Sequence, residues 1–252
     1  MIYYANGCSY TWGGSLYNFL EQDVWLPSVP DHRVNLQRQN TVYPYHLGKL
    51  LKIDKVINDS LGCSSNHRIV RTTLEYFTDL IIKKLPLNNH FVTIQWTEPS
   101  RFEMYDMNSK SWNMFQNTSF VCETYEQHPE SLKYNHTFYY KKMQSDLQSF
   151  HIFLSQVIGL GSFFEKYKIP YLFFTHIRFI SDYEKIMSLS DIDTVLQDYN
   201  WYAGKISESY MGNKIDIFDK AHPTKEGHKQ WANLLYNEIK NKKILEFVEE
   251  VP

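Results

Sequence analysis

The sequence predicts an α/β protein, a three-layer α/β/α sandwich around about five mostly parallel strands. The first observation behind this prediction is a set of short apolar runs that are continuous rather than alternating, as in strands covered on both faces. The second is that helical segments separate these runs, because strand–helix alternation is typical of a parallel sheet between two helical layers. The runs are IYYAN at 2–6, KVIND at 55–59, HFVTIQW at 90–96, PYLFFTH at 170–176 and KIDIFD at 214–219.

The segments between the runs carry apolar residues at helical spacing. In the last segment, 224–241, apolar side chains recur at i, i+3, i+4 and i+8, which predicts a helix with one buried face (Trp231, Leu234, Leu235, Ile239). His228 of that helix is expected to be solvated. The other predicted helices cover 43–51, 68–85 and 143–167.

The chain of 252 residues is expected to form a single domain, residues 1–252. One segment, about 97–142, departs from the strand–helix alternation because it is polar, rich in aromatic residues and irregular. An insertion of this length in a compact domain is typically a lid or a binding loop.

Composition excludes several classes of partner. A net charge of −2 gives no electrostatic basis for binding nucleic acid. No run of about 18 apolar residues and no signal peptide occur, so no membrane span is predicted and a cytoplasmic location is expected. Three cysteines, Cys8, Cys63 and Cys122, are odd in number and lack CxxC spacing, which predicts neither a disulfide framework nor a metal site.

Candidate functional residues follow the predicted strands directly. In an open parallel sheet, ligands bind beyond the carboxyl ends of the strands, so these residues are expected to meet at one edge. The candidates are Ser9 after the first run, Gly62 and Asn66 after the second, Thr97 and Arg101 after the third, and Asp219 and His222 after the fifth.

Ser9, His222 and Asp219 have the chemistry of a catalytic triad. A serine hydroxyl becomes a nucleophile when a base takes its proton, and the base needs a partner that fixes its tautomer. Asp219 and His222 are three residues apart, so one turn can bring them to the same side. The alternative for Ser9 is the N-cap of the following helix.

The order of these motifs resembles the SGNH/GDSL hydrolase family. The resemblance rests on GCSYT at 7–11, Gly62 within NDSLGCSSN, and DKAHP at 219–223, and it extends from residue 7 to residue 223. It implies a flavodoxin-like sandwich and a serine esterase with Ser9, His222 and Asp219 as the triad. It also implies that Gly62 is an oxyanion donor.

Two departures from the family pattern matter. Cys8 replaces the aspartate that usually precedes the serine, and is interpreted as structural. The third family block, G-x-N-D, reads QWTE at 95–98, so that Thr97 stands where the family has an asparagine that donates to the oxyanion. The Thr97 hydroxyl can itself donate one hydrogen bond but has a shorter reach. Asn66 is the favoured side-chain donor, because an amide is an unambiguous donor whereas a hydroxyl can rotate to another acceptor; Asn66 could instead cap the next helix.

The predicted function is the hydrolysis of carboxylic esters without a metal or an organic cofactor. The preferred substrate is an O-acetylated carbohydrate, since the aromatic insertion is suited to stacking on sugar rings; a short-chain lipid ester is the competitor. Arg101 is a candidate for an anionic substrate, with a salt bridge to Glu98 or Glu103 as the alternative. The rival functions are an inert binding or structural protein of the same fold and an acyltransferase to a sugar hydroxyl.

Overall fold

A computed structural model of the chain describes residues 1–13, 39–108, 110–115, 138–175, 196, 198–202 and 223–245. The strands among these residues are β1 (Ile2–Asn6), β2 (Lys55–Asn58), β3 (His90–Trp96), β4 (Phe102–Asp106), β5 (Ser111–Phe115), β6 (Tyr171–Thr175) and β7 (Trp201–Tyr202). Five of them form one sheet in the order β2-β1-β3-β6-β7, and every neighbouring pair is parallel. The predicted parallel sheet is therefore confirmed.

The strand order reverses its direction of growth at β1. From β1 the chain crosses to β2 on one side and then returns to β3 on the other. Such a reversal opens a crevice between the carboxyl ends of the two strands that flank it, here β1 and β3. The register pairs Asn6 with Ile94, so that the residues after Asn6 and those after Trp96 leave the same edge of the sheet.

Helices cover both faces of this sheet. They are α1 (Ser9–Trp12), α2 (Tyr43–Leu50), α3 (Asn66–Ile82), α4 (Asp146–Lys166) and α5 (Lys225–Asn241). The buried faces of α3 and α4 form one core cluster, and those of α2 and α5 form a second. Adjacent residues of β1 enter different clusters, Tyr3 the second and Tyr4 the first, because successive side chains of a strand point to opposite faces. The three-layer sandwich follows from this alternation.

Four of the five predicted strands coincide with observed ones, and β3 matches its prediction residue for residue. The fifth predicted strand, 214–219, lies outside the described residues. The fifth strand of the observed sheet is β7, which pairs Trp201 with Phe173 of β6. Sequence analysis did not predict β7, because a strand of two residues is too short to carry a periodic signal.

The insertion is more ordered than its composition predicts. Strands β4 and β5 form an antiparallel hairpin, and a short π-helical turn, Tyr139–Met143, packs against it. The rings of Phe102 and Phe115 stack at 4.9 Å between centroids, and Phe102 also stacks on Tyr139 at 3.8 Å. The described part of 97–142 therefore contains a hairpin and a small apolar cluster where irregular structure was expected. Residues 109 and 116–137 lie outside the described residues.

By length and composition alone, α4 is the one helix among the described residues that is long and apolar enough to cross a membrane. Its buried face packs in the same core cluster as the strands, through Phe150, Phe153, Val157, Leu160 and Phe164. The core helix of a globular domain passes the same test of length and composition. The apolar character of α4 therefore does not show a membrane span.

Candidate active site

Ser9 is the first residue of helix α1, directly beyond the carboxyl end of β1. The N-cap of α1 is Cys8, whose backbone is extended (φ −95°, ψ −159°) and whose side chain makes no capping hydrogen bond. The amide of Trp12 donates to the Cys8 carbonyl at 3.0 Å, and that of Gly13 to the Ser9 carbonyl at 2.9 Å. The side chain of Ser9 is therefore not the helix cap that was its alternative role. Ser9 is 9% exposed.

Gly7 allows this serine turn to lie against β3. A Cβ atom added at Gly7 would lie 2.8 Å from Cβ of Gln95 and would collide with Oγ1 of Thr11. The absence of a side chain is thus a steric requirement at this position. The amide of Gly7 donates to Oδ1 of Asn6 at 2.8 Å, and Nδ2 of Asn6 donates to the Ile69 carbonyl of α3 at 3.2 Å. Contacts with β3 and α3 therefore position the turn from two sides.

The glycine turn that follows β2 lies beside the serine turn. The amide of Leu61 approaches the Gly7 carbonyl at 3.4 Å, and the indole of Trp12 lies 3.7 Å from where a Cβ of Gly62 would be. The left-handed conformation in this turn belongs to Cys63, with φ 61°, and not to Gly62. Gly62 is therefore next to the serine turn, as expected, but its own backbone angles do not require glycine.

Asn66 and Thr97 connect the start of α3 to the end of β3. Nδ2 of Asn66 donates to the Thr97 carbonyl at 2.9 Å, and the Thr97 amide donates to Oδ1 of Asn66 at 2.8 Å. The cap of α3 is Ser65, whose Oγ accepts from the amide of Arg68 at 3.2 Å. Asn66 is thus not the helix cap, and both its amide oxygen and its amide nitrogen are bonded to the backbone of Thr97.

The hydroxyl of Thr97 is a buried polar group that has no hydrogen-bond partner among the described residues. The residue is fully buried. A buried hydroxyl without a partner costs stability, so its presence in a folded protein calls for a reason such as a role in binding or catalysis. The amide of Asn66 is already hydrogen-bonded, so of the two candidate side-chain donors the Thr97 hydroxyl is the one without a partner among the described residues.

Arg101 pairs with Glu98. Its Nε lies 3.4 Å from Oε2 of Glu98, and its side chain is largely buried. Glu103, the other partner considered, is bound instead by Arg71 of α3, with Nε to Oε1 at 2.8 Å and Nη2 to Oε2 at 3.0 Å. The salt-bridge interpretation of Arg101 therefore describes the structure, and the Arg71 pair fastens the hairpin to α3.

Sequence analysis did not single out His67, which lies in the first turn of α3. Burial lowers the pKa of His67 below its ordinary value of 6.5, and the charge of Glu103 and the backbone of Arg101 partly offset this shift. The ring nitrogen Nδ1 of His67 is buried and has no partner in the described part of the chain. His67 therefore places a buried ring nitrogen next to Asn66 in the sequence. It has no characteristic spacing to another candidate residue, so no sequence signal marked it.

Asp219, His222 and Cys122 lie outside the described residues. The description resumes at Pro223, which is buried, and α5 begins after Thr224, whose Oγ1 accepts from the amide of Gly227 at 3.1 Å. His228 of α5 is buried, so the prediction that it is solvated was wrong. Its Nδ1 accepts a hydrogen bond from the Tyr43 amide at 3.1 Å, which explains the burial.

A metal centre finds no support in the described residues, where no three His, Cys, Asp or Glu side chains come together as they would around an ion. The groups at this edge of the sheet are instead a serine on a helical turn, backbone amides and the Thr97 hydroxyl, for which the described residues supply no partner. This combination is suited to nucleophilic and oxyanion chemistry.

Comparison with solved structures finds enzymes of ester hydrolysis, all at low identity. A psychrotrophic esterase from Pseudoalteromonas sp. matches at 10% identity and a TM-score of 0.48, over 96% of this chain and 98% of the other. An acetyl xylan esterase from Butyrivibrio proteoclasticus matches at 12% and 0.49, over 96% and 63%. Phospholipase A1 from Streptomyces albidoflavus matches at 14% and 0.42, over 94% and 98%. Likenesses with TM-scores below 0.5 say nothing about the chemistry of this chain.

Comparison with curated proteins finds no match. A family model, described as a family of unknown function (DUF6071), matches residues 28–247. This range contains every candidate site residue except Ser9, and it spans most of the chain. The chain belongs to the DUF6071 family.

Proposed function

We propose that this protein is a serine hydrolase of carboxylic esters, with Ser9 as nucleophile, His222 as general base and Asp219 as the residue that orients His222. The observation that carries the proposal is the place of Ser9 and of Thr97, a residue whose buried hydroxyl has no hydrogen-bond partner among the described residues. They follow β1 and β3, the two strands between which the sheet reverses its order. This is where ligands bind in such sheets.

The reaction would proceed by acyl transfer to Ser9. Oγ of Ser9 attacks the ester carbonyl while His222 takes its proton, and the tetrahedral oxyanion collapses with loss of the alcohol, which receives that proton. Water, deprotonated by His222, then attacks the acyl-serine and releases the acid. Asp219 keeps the imidazole in the tautomer that accepts from Ser9.

Three donors serve the oxyanion in this proposal, namely the amides of Ser9 and Gly62 and the hydroxyl of Thr97. Preset donors of this kind stabilise the charge that develops on the substrate oxygen. We favour Thr97 over Asn66, in contrast to the expectation from sequence, because the Asn66 amide already holds the Thr97 peptide through two hydrogen bonds. Asn66 then positions Thr97 and does not itself touch the substrate.

A chain of contacts from α5 to the serine turn supports the assignment of His222. The Tyr43 amide donates to His228 of α5, and the Tyr43 phenol lies 3.2 Å from Oγ1 of Thr11, two residues after Ser9. The amino end of α5, which His222 precedes by three residues, is thereby linked to α1 through one tyrosine.

For the substrate we favour an O-acetylated carbohydrate, with a short-chain lipid ester as the competitor. The described hairpin carries a cross-strand aromatic pair, Tyr105 and Trp112, with ring centroids 5.3 Å apart and side chains 41% and 46% exposed. The guanidinium carbon of Arg71 lies over one face of Trp112, 4.4 Å from the centroid of the ring. This contact holds the indole in place. Exposed, fixed aromatic faces offer a stacking surface for an apolar ring face.

The decisive experiment is labelling with a fluorophosphonate probe, followed by identification of the modified peptide. The proposal requires that the wild-type protein is labelled at Ser9, that Ser9→Ala is not labelled, and that His222→Ala is labelled far more slowly. Ser155→Ala is the matched control, because Ser155 is an exposed serine on α4. A wild-type protein that stays unlabelled, although it binds an acetylated glycan, would establish the alternative of an inert binding protein.

Product analysis then separates the remaining functions. Acetate release is measured from a panel of acetylated glycans and simple aryl esters, with and without an added sugar acceptor. Release into water supports the hydrolase. Transfer of the acetyl group to the acceptor, at the expense of free acetate, would identify the acyltransferase instead.

A further inference from the structure

Gln95 of β3 contacts the serine turn at three of its residues. Its Oε1 accepts a hydrogen bond from Oγ1 of Thr11, and its Nε2 lies 3.6 Å from Sγ of Cys8. Its Cβ occupies the space that a side chain at Gly7 would need. Gln95 is 1% exposed. One buried side chain therefore holds the residues before and after Ser9.

The Thr11 contact is the end of a hydrogen-bonded chain through the core. Because the amide oxygen only accepts, the Thr11 hydroxyl donates to Gln95 and must accept from the phenol of Tyr43. Tyr43 in turn contacts Thr93, whose hydroxyl lies 2.7 Å from that of Tyr3. Burial raises the pKa of Tyr43 well above its ordinary value, so this phenol stays a neutral donor. The direction of the two bonds from Tyr43 through Thr11 to Gln95 is thereby determined.

Gln95 and Cys8 are also two of the positions at which this chain departs from the SGNH pattern. The family block G-x-N-D has glycine where this chain has Gln95, and the family serine follows an aspartate where this chain has Cys8. The structure brings the two replacements into contact across 87 positions of sequence. A cysteine side chain beside a buried amide avoids the cost of placing a carboxylate there.

We propose that Gln95 is a positioning residue for the nucleophile, which acts through Thr11 and Cys8 to hold the turn that presents Ser9. The consequence for reactivity rests on the proposed function, whereas the effect on the turn does not. A nucleophile must be held close to its productive geometry, because a displacement of about 1 Å is costly in rate. Gln95 supplies that constraint without touching the substrate.

The test compares Gln95→Met, Thr11→Val and the double variant with the wild-type protein. Methionine keeps the length of the side chain but removes both amide contacts, and valine removes the hydroxyl at the other end of the same bond. Two quantities are measured, the rate of fluorophosphonate labelling of Ser9 and the hydrogen exchange of the Thr11, Trp12 and Gly13 amides. Ser149→Ala is the control, a buried polar substitution in α4 whose hydroxyl bonds only Gln144 among the described partners.

Gln95→Met is expected to slow labelling by about tenfold or more and to speed exchange at the three turn amides while exchange in α5 is unchanged. The double variant should be labelled no more slowly than the slower single variant, because the two substitutions remove the same hydrogen bond between Gln95 and Thr11. Unchanged exchange in both single variants would overturn the proposal, and so would faster exchange with unchanged labelling. If the wild-type protein is not labelled, the proposed function fails and the exchange measurement alone decides the role of Gln95.

Discussion

The side-chain amide of Asn66 and the peptide group of Thr97 exchange two hydrogen bonds, at 2.9 and 2.8 Å. This pairing ties the first residue of α3 to the residue that follows β3, and both residues are buried. The pairing does not involve the hydroxyl of Thr97, for which no partner occurs within the described ranges. The two residues are therefore expected to respond differently to substitution.

Thr97→Val should lower activity without lowering stability. Valine keeps the shape of threonine and removes an unpartnered hydroxyl, so the free energy of unfolding should be unchanged or higher by about 1 kcal/mol. Loss of an oxyanion donor should lower kcat by about 10²-fold with little change in KM. Urea denaturation and steady-state kinetics on an aryl ester measure the two effects.

Asn66→Ala is the matched comparison and, unlike Thr97→Val, should lower the stability of the fold. It removes two buried hydrogen bonds and leaves the Thr97 peptide without partners, which should cost about 2–3 kcal/mol of unfolding free energy. A Thr97→Val enzyme with wild-type kcat would show that its hydroxyl is not the donor.

The two glycines at the site should differ in their tolerance of alanine. Gly7→Ala places a methyl group against Gln95 and Thr11 and should destabilise the fold by about 1–3 kcal/mol. Among the described residues, a methyl group at Gly62 meets only the indole of Trp12, at ordinary contact distance, so the stability of Gly62→Ala should stay within about 0.5 kcal/mol of wild type. Thermal denaturation of the two variants, side by side, checks this, and equal losses would contradict it.

Breaking the Arg71–Glu103 pair should loosen the hairpin. The carboxylate side chain is 2% exposed, so Arg71→Ala would leave a buried charge unpaired, at a cost of about 3–5 kcal/mol. Limited proteolysis should then cut within β4 or β5 before the sheet unfolds. Lys83→Ala removes an exposed ion pair with Asp79 and should change stability by less than about 1 kcal/mol. Equal effects of the two variants would argue against the Arg71–Glu103 pair as the contact that fastens the hairpin to α3.

Stability should fall when the protein is acidified below pH 6.5. Burial lowers the pKa of His46, His67 and His90 below the ordinary value of 6.5. The native state therefore binds fewer protons than the unfolded chain, so their contribution is fully present above pH 6.5 and is lost as the pH falls through the lowered values. In His90, Nδ1 donates to the Leu87 carbonyl and Nε2 accepts from the Tyr76 phenol, an arrangement that a second ring proton disrupts.

Urea denaturation from about pH 8 to about pH 5 measures this dependence. The His90→Gln variant should show a shallower decrease in unfolding free energy over the same range, because one of the three groups no longer titrates. A wild-type curve that is flat between pH 6.5 and pH 5 would refute the lowered pKa values of these three histidines.

Trp112 should affect glycan esters and leave small esters unaffected. If its indole stacks on a sugar ring, Trp112→Ala should raise KM for an acetylated glycan by between about twofold and about tenfold, while kinetics on an aryl acetate stay at wild-type values. Tyr105→Ala serves as a second variant, because among the described contacts it is Trp112, and not Tyr105, whose ring lies over Arg71. Equal changes on both substrates would mean that the hairpin is only structural.

The sequence alone determined the main elements of the sheet and its helices. The β3 prediction was correct at both ends, and the apolar spacing of α5 identified its buried face, because such patterns depend on residues a few positions apart. The position of Ser9 at a strand–helix turn also followed from local signals, the glycine and the end of an apolar run. The expectation of a solvated His228 was wrong, since its burial depends on Tyr43, 185 positions away in the sequence. The described part of the insertion contains a hairpin that its polar and aromatic composition did not predict.

Only the tertiary structure decided which polar groups meet. Gln95 bonds Thr11 across 84 positions, and Asn66 bonds Thr97 across 31, and neither pairing has a spacing that a sequence pattern can reveal. The same holds for the Thr97 hydroxyl, which has no partner in the part of the chain that the structure describes, because a missing partner is a property of the whole environment of an atom. Periodicity determines which face of an element is buried, whereas the crossing of strands in space determines which buried side chains become neighbours.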